Sequence, residues 1–159
     1  MASWGEVEVA CPGLAAKVRG RFEAHGLALI ATLRKDGGPR ISGIEVTFAG
    51  DELWLGMMPG SLKAKDLLRD PRCALHSATV DKDVKEGDAK ITARAVAVED
   101  DATFQEFARA TGAGDELEPG GFHLFRLDVT ETSFLVPAGD HLDIEAWSDA
   151  RGYRKTERR

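Results

Sequence analysis

Hydrophobic and polar residues alternate along much of this chain with the period of two that is typical of half-buried β-strands. Leu27–Leu33 is an apolar run, Ile44–Phe48 alternates strictly, and Ala89–Val98 is rich in small and β-branched residues. Further strands are predicted at Glu52–Met57, Arg72–Ala78, His123–Val129 and Leu142–Trp147. The turn signal Asp36-Gly37-Gly38 favours a hairpin connection. The pattern therefore predicts about six or seven strands.

Three segments instead repeat their apolar residues every three or four positions, which predicts helices. They are Pro12 to about Ala24, Ser61–Arg69, and a segment from Asp100 or Asp101 to Gly112 or Gly114. Gly26 ends the first helix, and Pro71 ends the second because it pushes the residue before it out of helical geometry. The second helix is expected to bury Ala64, Leu67 and Leu68 on one side.

The last long strand changes its parity. Leu127 and Val129 are apolar at odd positions, whereas Phe134 falls in the opposite parity. Because one inserted residue turns every later side chain to the other face, we expect a bulge or a corner between Thr130 and Ser133.

These elements favour a mainly β fold with short helices, arranged as an antiparallel barrel rather than a doubly wound parallel sheet. The chain contains no G-x-G-x-x-G or G-x-x-x-x-G-K-[ST] sequence, so a Rossmann or P-loop nucleotide site is not expected. Its 159 residues, 43% of them hydrophobic, suffice for one packed core, and we interpret residues 1–159 as a single domain.

Cysteine content and apolar run length predict the compartment. The longest apolar runs are far shorter than the ~20 residues that cross a bilayer, and Met1–Glu6 lacks the pattern of a signal peptide. Cys11 and Cys73 form no disulfide framework, which is typical of a reducing compartment. We therefore expect a cytoplasmic protein without a membrane partner.

Cys11 precedes Pro12 at a helix start, a position that can lower a thiol pKa, but neither cysteine is assigned a catalytic role.

The net charge of −6 is unevenly distributed. Seven acidic residues and one arginine lie between Glu99 and Glu118, and this segment accounts for the whole excess. Arg151–Arg159 contains five basic residues and one glutamate. This basic tail is interpreted either as a solvated tail or as a contact for an anionic ligand. Nucleic acid is not expected as a partner, because the chain is acidic overall and lacks an aromatic-plus-basic strand motif.

The start of the second predicted helix is the strongest candidate for a binding site. A helix start carries unpaired backbone N–H groups and a partial positive charge, so it attracts anions. Ser61 is placed to cap this helix, and Lys63 is placed to reach a phosphate. The same residues also fit a capped helix with a solvated lysine, and the motif alone leaves both interpretations open.

The four histidines form no close ligand pair, so the spacing indicates no metal site, although distant ligands can converge.

Four segments, taken in order, carry a resemblance to a known family. They are the hairpin strands Ala28–Leu33 and Pro39–Ile44, then Leu53–Gly56, and above all Gly60–Arg72. The last is similar to a small-Ser-x-Lys-x-x-x-Leu-x-x-x-Pro signature. From about Gly26 to Trp147 the chain resembles the pyridoxamine 5'-phosphate oxidase-like, FMN-binding split β-barrel family of flavin and deazaflavin proteins.

The resemblance implies a homodimer with two cofactor sites at the subunit interface. It places the cofactor's phosphate near Ser61 and Lys63. The ring of FMN or of the deazaflavin coenzyme F420 is then expected across the second and third strands, near Ser42, Gly43, Met57 and Met58. No catalytic residue is assigned, because the flavin itself carries the hydride chemistry. The implied function is that of an oxidoreductase that transfers hydride to an unidentified small unsaturated or quinone-like molecule.

Further residues are candidates on the same resemblance. A basic groove for the polyglutamyl tail of a deazaflavin would come from Lys63, Lys65, Arg69 and the basic tail, and Trp147 would cap a ring across the dimer. Each has a structural alternative: Lys65 and Arg69 as a solvated helix face, Met57 and Met58 as core filler, and Trp147 as a buried aromatic. The C-terminus lacks the Arg-Leu-Ala-Pro-like ending of true pyridoxamine phosphate oxidases, so vitamin B6 oxidation is not expected.

One alternative function belongs to a different class. Haem-handling relatives of the fold exist, so the chain also fits a non-catalytic flavin-binding or haem/tetrapyrrole-binding module. His123 or His141 would then be the candidate iron ligand.

Overall fold

The computed structural model describes residues 1–114 and 117–159, and within these ranges it contains four helices and nine strands. The helices are α1 (Trp4–Ala10), α2 (Pro12–His25), α3 (Leu62–Arg69) and α4 (Asp101–Thr111). The strands are β1 (Ala28–Leu33), β2 (Pro39–Ile44), β3 (Thr47–Ala49), β4 (Glu52–Met57), β5 (Arg72–Ser77), β6 (Asp88–Ala97), β7 (His123–Ala138), β8 (His141–Ser148) and β9 (Gly152–Arg158).

The strands pair in the order β2-β1-β5-β6-β7-β4-β3, and every pairing is antiparallel. The first part of β7 pairs with β4, and its second part pairs with β8, which in turn pairs with β9. Within the described ranges, β2 and β3 are not hydrogen-bonded to each other, so the sheet is not closed. The prediction of a mainly β, antiparallel fold with short helices is confirmed.

The parity change in the last long strand has the predicted cause. Thr92 of β6 lies opposite Glu131, and the next residue, Ala93, lies opposite Val129, so Thr130 is the extra residue of a bulge. The hydroxyl of Thr130 donates to the carbonyl of Thr92 at 3.1 Å. The bulge lets β7 present apolar residues to the core on both sides of this point.

The N-terminal helix α1 was not predicted. It begins at a capping box: the Ser3 hydroxyl accepts from the Glu6 N–H, and the Glu6 carboxylate accepts from the Ser3 N–H. The Ser-x-x-Glu spacing is visible in the sequence and is the signal that would have identified this helix.

Two strand predictions are wrong in detail. The strand expected over Ile44–Phe48 is interrupted, because β2 ends at Ile44 and β3 begins at Thr47. The basic tail is not a solvated extension but contains strand β9, whose backbone pairs with β8 along its whole length. Basic residues are compatible with this position because β9 is an edge strand, where charged side chains remain in water.

Two apolar clusters hold the helices to the sheet. The larger one includes Leu14, Val18 and Phe22 of α2, which contacts β6, β7 and β8. The smaller one joins Phe104 of α4 to Trp54 of β4. α3 packs against β1 and contributes Ala64 and Leu67 to the larger cluster, while its first residue, Leu62, is exposed. No helix in the described part of the chain is long and apolar enough to span a bilayer.

Candidate functional site

A short loop connects β4 to α3 and is tied down at two points. The Ser61 N–H donates to the carbonyl of Met58 at 3.1 Å, and Gly60 between them has φ of +71°, which favours glycine. The Gly60 N–H donates to Nε2 of His123 at 3.2 Å. The first residue of β7 therefore holds the loop, a role for His123 that sequence reasoning did not assign.

The start of α3 presents unused backbone donors. The Ser61 hydroxyl accepts from the Ala64 N–H at 3.4 Å, so the predicted cap is confirmed, and the Lys65 N–H donates to the Ser61 carbonyl at 3.1 Å. The N–H groups of Leu62 and Lys63 have no acceptor among residues 1–114 and 117–159. Two donors and the positive end of the helix therefore face solvent together.

Two lysines lie near the start of α3. Lys63 is half-buried and Lys65 is exposed, and neither forms an ion pair with a residue that the structure describes. Arg69 differs, because its guanidinium donates to the Leu33 carbonyl at 2.6 Å and to Asp66 at 3.0 Å. Arg69 therefore anchors the helix and does not pair with Lys65 as a solvated face.

A buried carboxylate fixes α3 to the sheet. Asp66 is only 3% exposed and accepts from Thr32 of β1 at 2.8 Å and from Arg40 of β2 at 2.7 Å. Burial alone raises the pKa of Asp66, but the hydrogen bonds from Arg40, Thr32 and Arg69 outweigh it and hold this pKa below its ordinary value. Sequence reasoning missed this residue and expected Leu68 inside, whereas Leu68 is 52% exposed.

These contacts also orient the helix. Arg69, at its end, bonds Leu33, and Asp66 bonds Thr32. Thr32 pairs with Arg40 on β2, and Ser42 lies two residues further along that strand. Ser42 shares a face of the sheet with Arg40 and Thr32, because paired and alternate residues project together.

The structure separates the four residues expected around a cofactor ring. Gly43 is exposed and faces the other side of β2, where a Cβ would meet nothing within 4 Å. Met58 lies in the loop and is 76% exposed. The side chain of Met57 is 3% exposed within the core, and its backbone directly precedes the loop.

Trp147 is buried within its own chain. Its side chain is 6% exposed and belongs to the main core of its own chain, so it leaves little surface on which a ring could stack. The buried-aromatic alternative describes it better. The basic tail lies in β9, which pairs with β8 beside the second part of β7, whereas the loop before α3 is held by His123 at the start of β7.

Both histidines considered for iron have ring nitrogens within hydrogen-bond distance of other residues. Nε2 of His123 accepts from Gly60, and the two ring nitrogens of His141 lie 3.0 Å from Asp140 and 3.1 Å from Asp143. His141 is on β8, away from the α3 loop.

Comparison with known proteins identifies the family. A family model described as pyridoxamine 5'-phosphate oxidase matches residues 14–136. A search of curated proteins found no match to this chain. Among solved structures, the chain is similar to a pyridoxamine 5'-phosphate oxidase-related, FMN-binding protein from Nostoc punctiforme, with 15% identity and a TM-score of 0.64 over 100% of this chain and 98% of that one.

Two further structures share the fold. One is PhzG from Burkholderia lata, in complex with tetrahydrophenazine-1-carboxylic acid, with 16% identity and a TM-score of 0.64 over 96% of this chain and 91% of that one. The other is HutZ, the haem storage protein from Vibrio cholerae, with 18% identity and a TM-score of 0.57 over 73% of this chain and 89% of that one. The family model covers most of the sheet, and the chain belongs to the pyridoxamine 5'-phosphate oxidase-like family of split-barrel proteins.

Proposed function

We propose that this protein is an oxidoreductase that binds FMN or the deazaflavin coenzyme F420 at the interface of a homodimer and acts on a small unsaturated or quinone-like molecule. The observation that carries the proposal is the start of α3, where two N–H groups have no acceptor in the described part of the chain and Lys63 follows the Ser61 cap, in a chain of this family. The bound cofactor would supply the hydride chemistry.

The cofactor's phosphate fits the donors at this helix start. The N–H groups of Leu62 and Lys63 would donate to phosphate oxygens, and the Lys63 ammonium would neutralise part of their charge. Lys65 is near enough along the helix to extend the basic surface toward a longer anionic tail. Asp66 keeps these groups in place, because it ties the helix to both β1 and β2.

The outer edge of β2 is suited to a flat ring. No strand in the described ranges pairs with that edge, so backbone groups around Ser42 and Gly43 remain available to ring carbonyl and N–H groups. Gly43 adds no side chain above the backbone. The exposed Met58 would provide an apolar contact from the loop.

A second copy of the chain would complete the site. Leu29 pairs with Gly43, and Ile41 pairs with Ala31, so these four residues share the outer face of the sheet. Leu29 is 41% exposed, Ile41 is 72% exposed, and both line an apolar groove of about 360 Å³. An exposed apolar face of this kind favours burial against a partner, and in a homodimer that partner is the same face.

The decisive experiment compares FMN and coenzyme F420 as ligands by fluorescence titration. Lys63→Gln is expected to weaken binding of the preferred cofactor by about 10- to 100-fold, because it removes a charge-assisted contact worth ~1.5–3 kcal/mol. Lys82→Gln, which removes a charge from an exposed loop, is the matched control and is expected to bind normally. Failure of the unmodified protein to bind either cofactor would refute the proposal.

The dimer is tested separately by light scattering. Ile41→Glu places a charge on the outer face and is expected to produce monomers that bind cofactor weakly. Val9→Glu, at an α1 position that is 86% exposed and off this face, is expected to leave the dimer intact. A monomeric unmodified protein at micromolar concentration would contradict the interface.

The second candidate function is haem binding without turnover, and the likeness to HutZ favours it. Haem titration followed by the Soret absorbance tests it. If the protein binds haem and neither flavin nor deazaflavin, the second candidate replaces the first. Loss of the band in His123→Gln or in His141→Gln would then name the iron ligand.

A further inference from the structure

The hairpin formed by β8 and β9 carries a cluster of potential metal ligands far from α3. His141 and Asp143 are two residues apart on β8, so their side chains project from the same face. Glu157 on β9 is the direct partner of Asp143. One imidazole and two carboxylates therefore meet above two adjacent strands.

The distances fit a single small cation. Nε2 of His141 lies 3.1 Å from Oδ1 of Asp143 and 3.8 Å from Oε1 of Glu157, and one ligand atom from each residue lies within 4.8 Å of the others. Ligand atoms held at about 2.1 Å around a tetrahedral ion are roughly 3.4 Å apart. Only small side-chain movements would bring all three atoms to coordination distance.

A fourth residue orients the imidazole. Oδ1 of Asp140 lies 3.0 Å from Nδ1 of His141 and accepts a hydrogen bond from it. With the proton on Nδ1, the lone pair of Nε2 points at the two carboxylates. A carboxylate behind a ligating histidine is the usual outer partner in metal sites, where it fixes the tautomer and strengthens the ligand.

The cluster also carries negative charge that the hairpin compensates only in part. Asp143 and Glu157 are like charges directly opposite each other, an arrangement that destabilises a strand pair. Lys155 is the nearest ammonium, and its Nζ is 4.0 Å from Oδ2 of Asp143. A bound divalent cation would remove the repulsion and fasten the end of β9 to β8.

We propose that His141, Asp143 and Glu157 bind a divalent transition cation of the Zn²⁺ type, with Asp140 as the positioning residue and water at the remaining coordination position. A mixed nitrogen and oxygen ligand set suits Zn²⁺, Co²⁺ or Ni²⁺ better than Mg²⁺, which prefers oxygen ligands alone. Sequence spacing did not indicate the site because Glu157 comes from the neighbouring strand. The proposal does not depend on the cofactor site at α3.

The test is titration of the purified, untagged protein with Co²⁺, followed by its visible absorption, and equilibrium dialysis with Zn²⁺. We expect one ion per chain, loss of that binding in His141→Gln and in Glu157→Gln, and an affinity about tenfold lower in Asp140→Asn. His25→Gln, which removes an exposed histidine on α2, is the matched control and is expected to bind normally.

A second readout reports on the hairpin itself. Zn²⁺ is expected to slow amide hydrogen exchange in β9 of the unmodified protein and to have no such effect in His141→Gln. The competing explanation is that a protonated His141 pairs with the carboxylates without a metal. Absence of one-per-chain binding, or binding that persists in His141→Gln, would overturn the metal site.

Discussion

The Asp66 carboxylate accepts a hydrogen bond from the Arg40 guanidinium at 2.7 Å, and this contact joins α3 to the edge strand β2. The helix that offers two free N–H groups and Lys63 is thereby positioned by a residue one turn further along. Asp66 touches no candidate ligand atom, yet three donors converge on it. The consequences for stability and for binding can be measured separately.

Asp66→Asn is expected to lower the free energy of unfolding at neutral pH by ~1–3 kcal/mol, because it removes the charge from three hydrogen bonds. The pKa of Asp66 is lower in the folded protein than in the unfolded chain, where it is about 3.9. The carboxylate therefore stabilises the fold at pH values above 3.9, and this stabilisation is lost as the pH falls through the pKa of the folded state. Urea unfolding should therefore show that the difference in free energy of unfolding between the unmodified protein and Asp66→Asn becomes smaller in acid. Asp83→Asn, in an exposed loop, is expected to show no such pH dependence.

Ser61 offers a way to separate folding from ligand binding. Ser61→Ala is expected to cost about 1 kcal/mol, because the cap to the Ala64 N–H is lost. Ser61→Asp keeps an effective cap and should retain stability, but it places a negative charge where the phosphate would lie. Thermal unfolding and cofactor titration on the same samples check both effects. Normal cofactor binding by Ser61→Asp would show that the start of α3 does not bind the cofactor's phosphate.

Gly87 and Gly37 differ in what surrounds them, although both have positive φ. A Cβ on Gly87 would lie 2.3 Å from Cζ of Phe134 and 2.8 Å from the carbonyl oxygen of Leu135, whereas one on Gly37 would meet nothing within 4 Å. Gly37→Ala should cost only the backbone strain of roughly 1–2 kcal/mol. Gly87→Ala should cost clearly more, because Phe134 must also move. Equal unfolding midpoints would contradict this difference.

Both cysteine thiols are expected to be unreactive in the folded protein. Burial, followed by the nearby charge of Glu145, raises the pKa of Cys11, and burial raises the pKa of Cys73 to about 12. The effect of a helix start, which can lower a thiol pKa, is therefore outweighed at Cys11. A disulfide reagent at neutral pH should titrate two thiols only after denaturant is added. Rapid reaction of the native protein would contradict the burial of these residues.

Local signals account for the parts of the molecule that were predicted. The Ser61 cap, the end of α3 before Pro71 and the bulge at Thr130 each depend on residues close together in sequence. The capping box at Ser3 was equally local, and a search for it would have found α1.

Asp66 and Leu68 show where such signals fail. The hydrophobic pattern predicts Leu68 inside and gives no signal for Asp66. The structure exposes Leu68 and buries Asp66, because β1 and β2 bring Thr32 and Arg40 against the carboxylate. The burial of Trp147 and the meeting of His141 with Glu157 depend in the same way on strands distant in sequence.

The sequence by itself determined the strand alternation, the helix caps, the turn positions and the resemblance that led to the family, because these depend on backbone preferences and spacings within a few residues. Only the tertiary structure decided which charged groups are buried with partners, which methionine and tryptophan side chains are withdrawn into the core, and which ligating atoms meet across β8 and β9. Strand pairing brings together residues that no local pattern relates, and it is this pairing that positions the candidate sites.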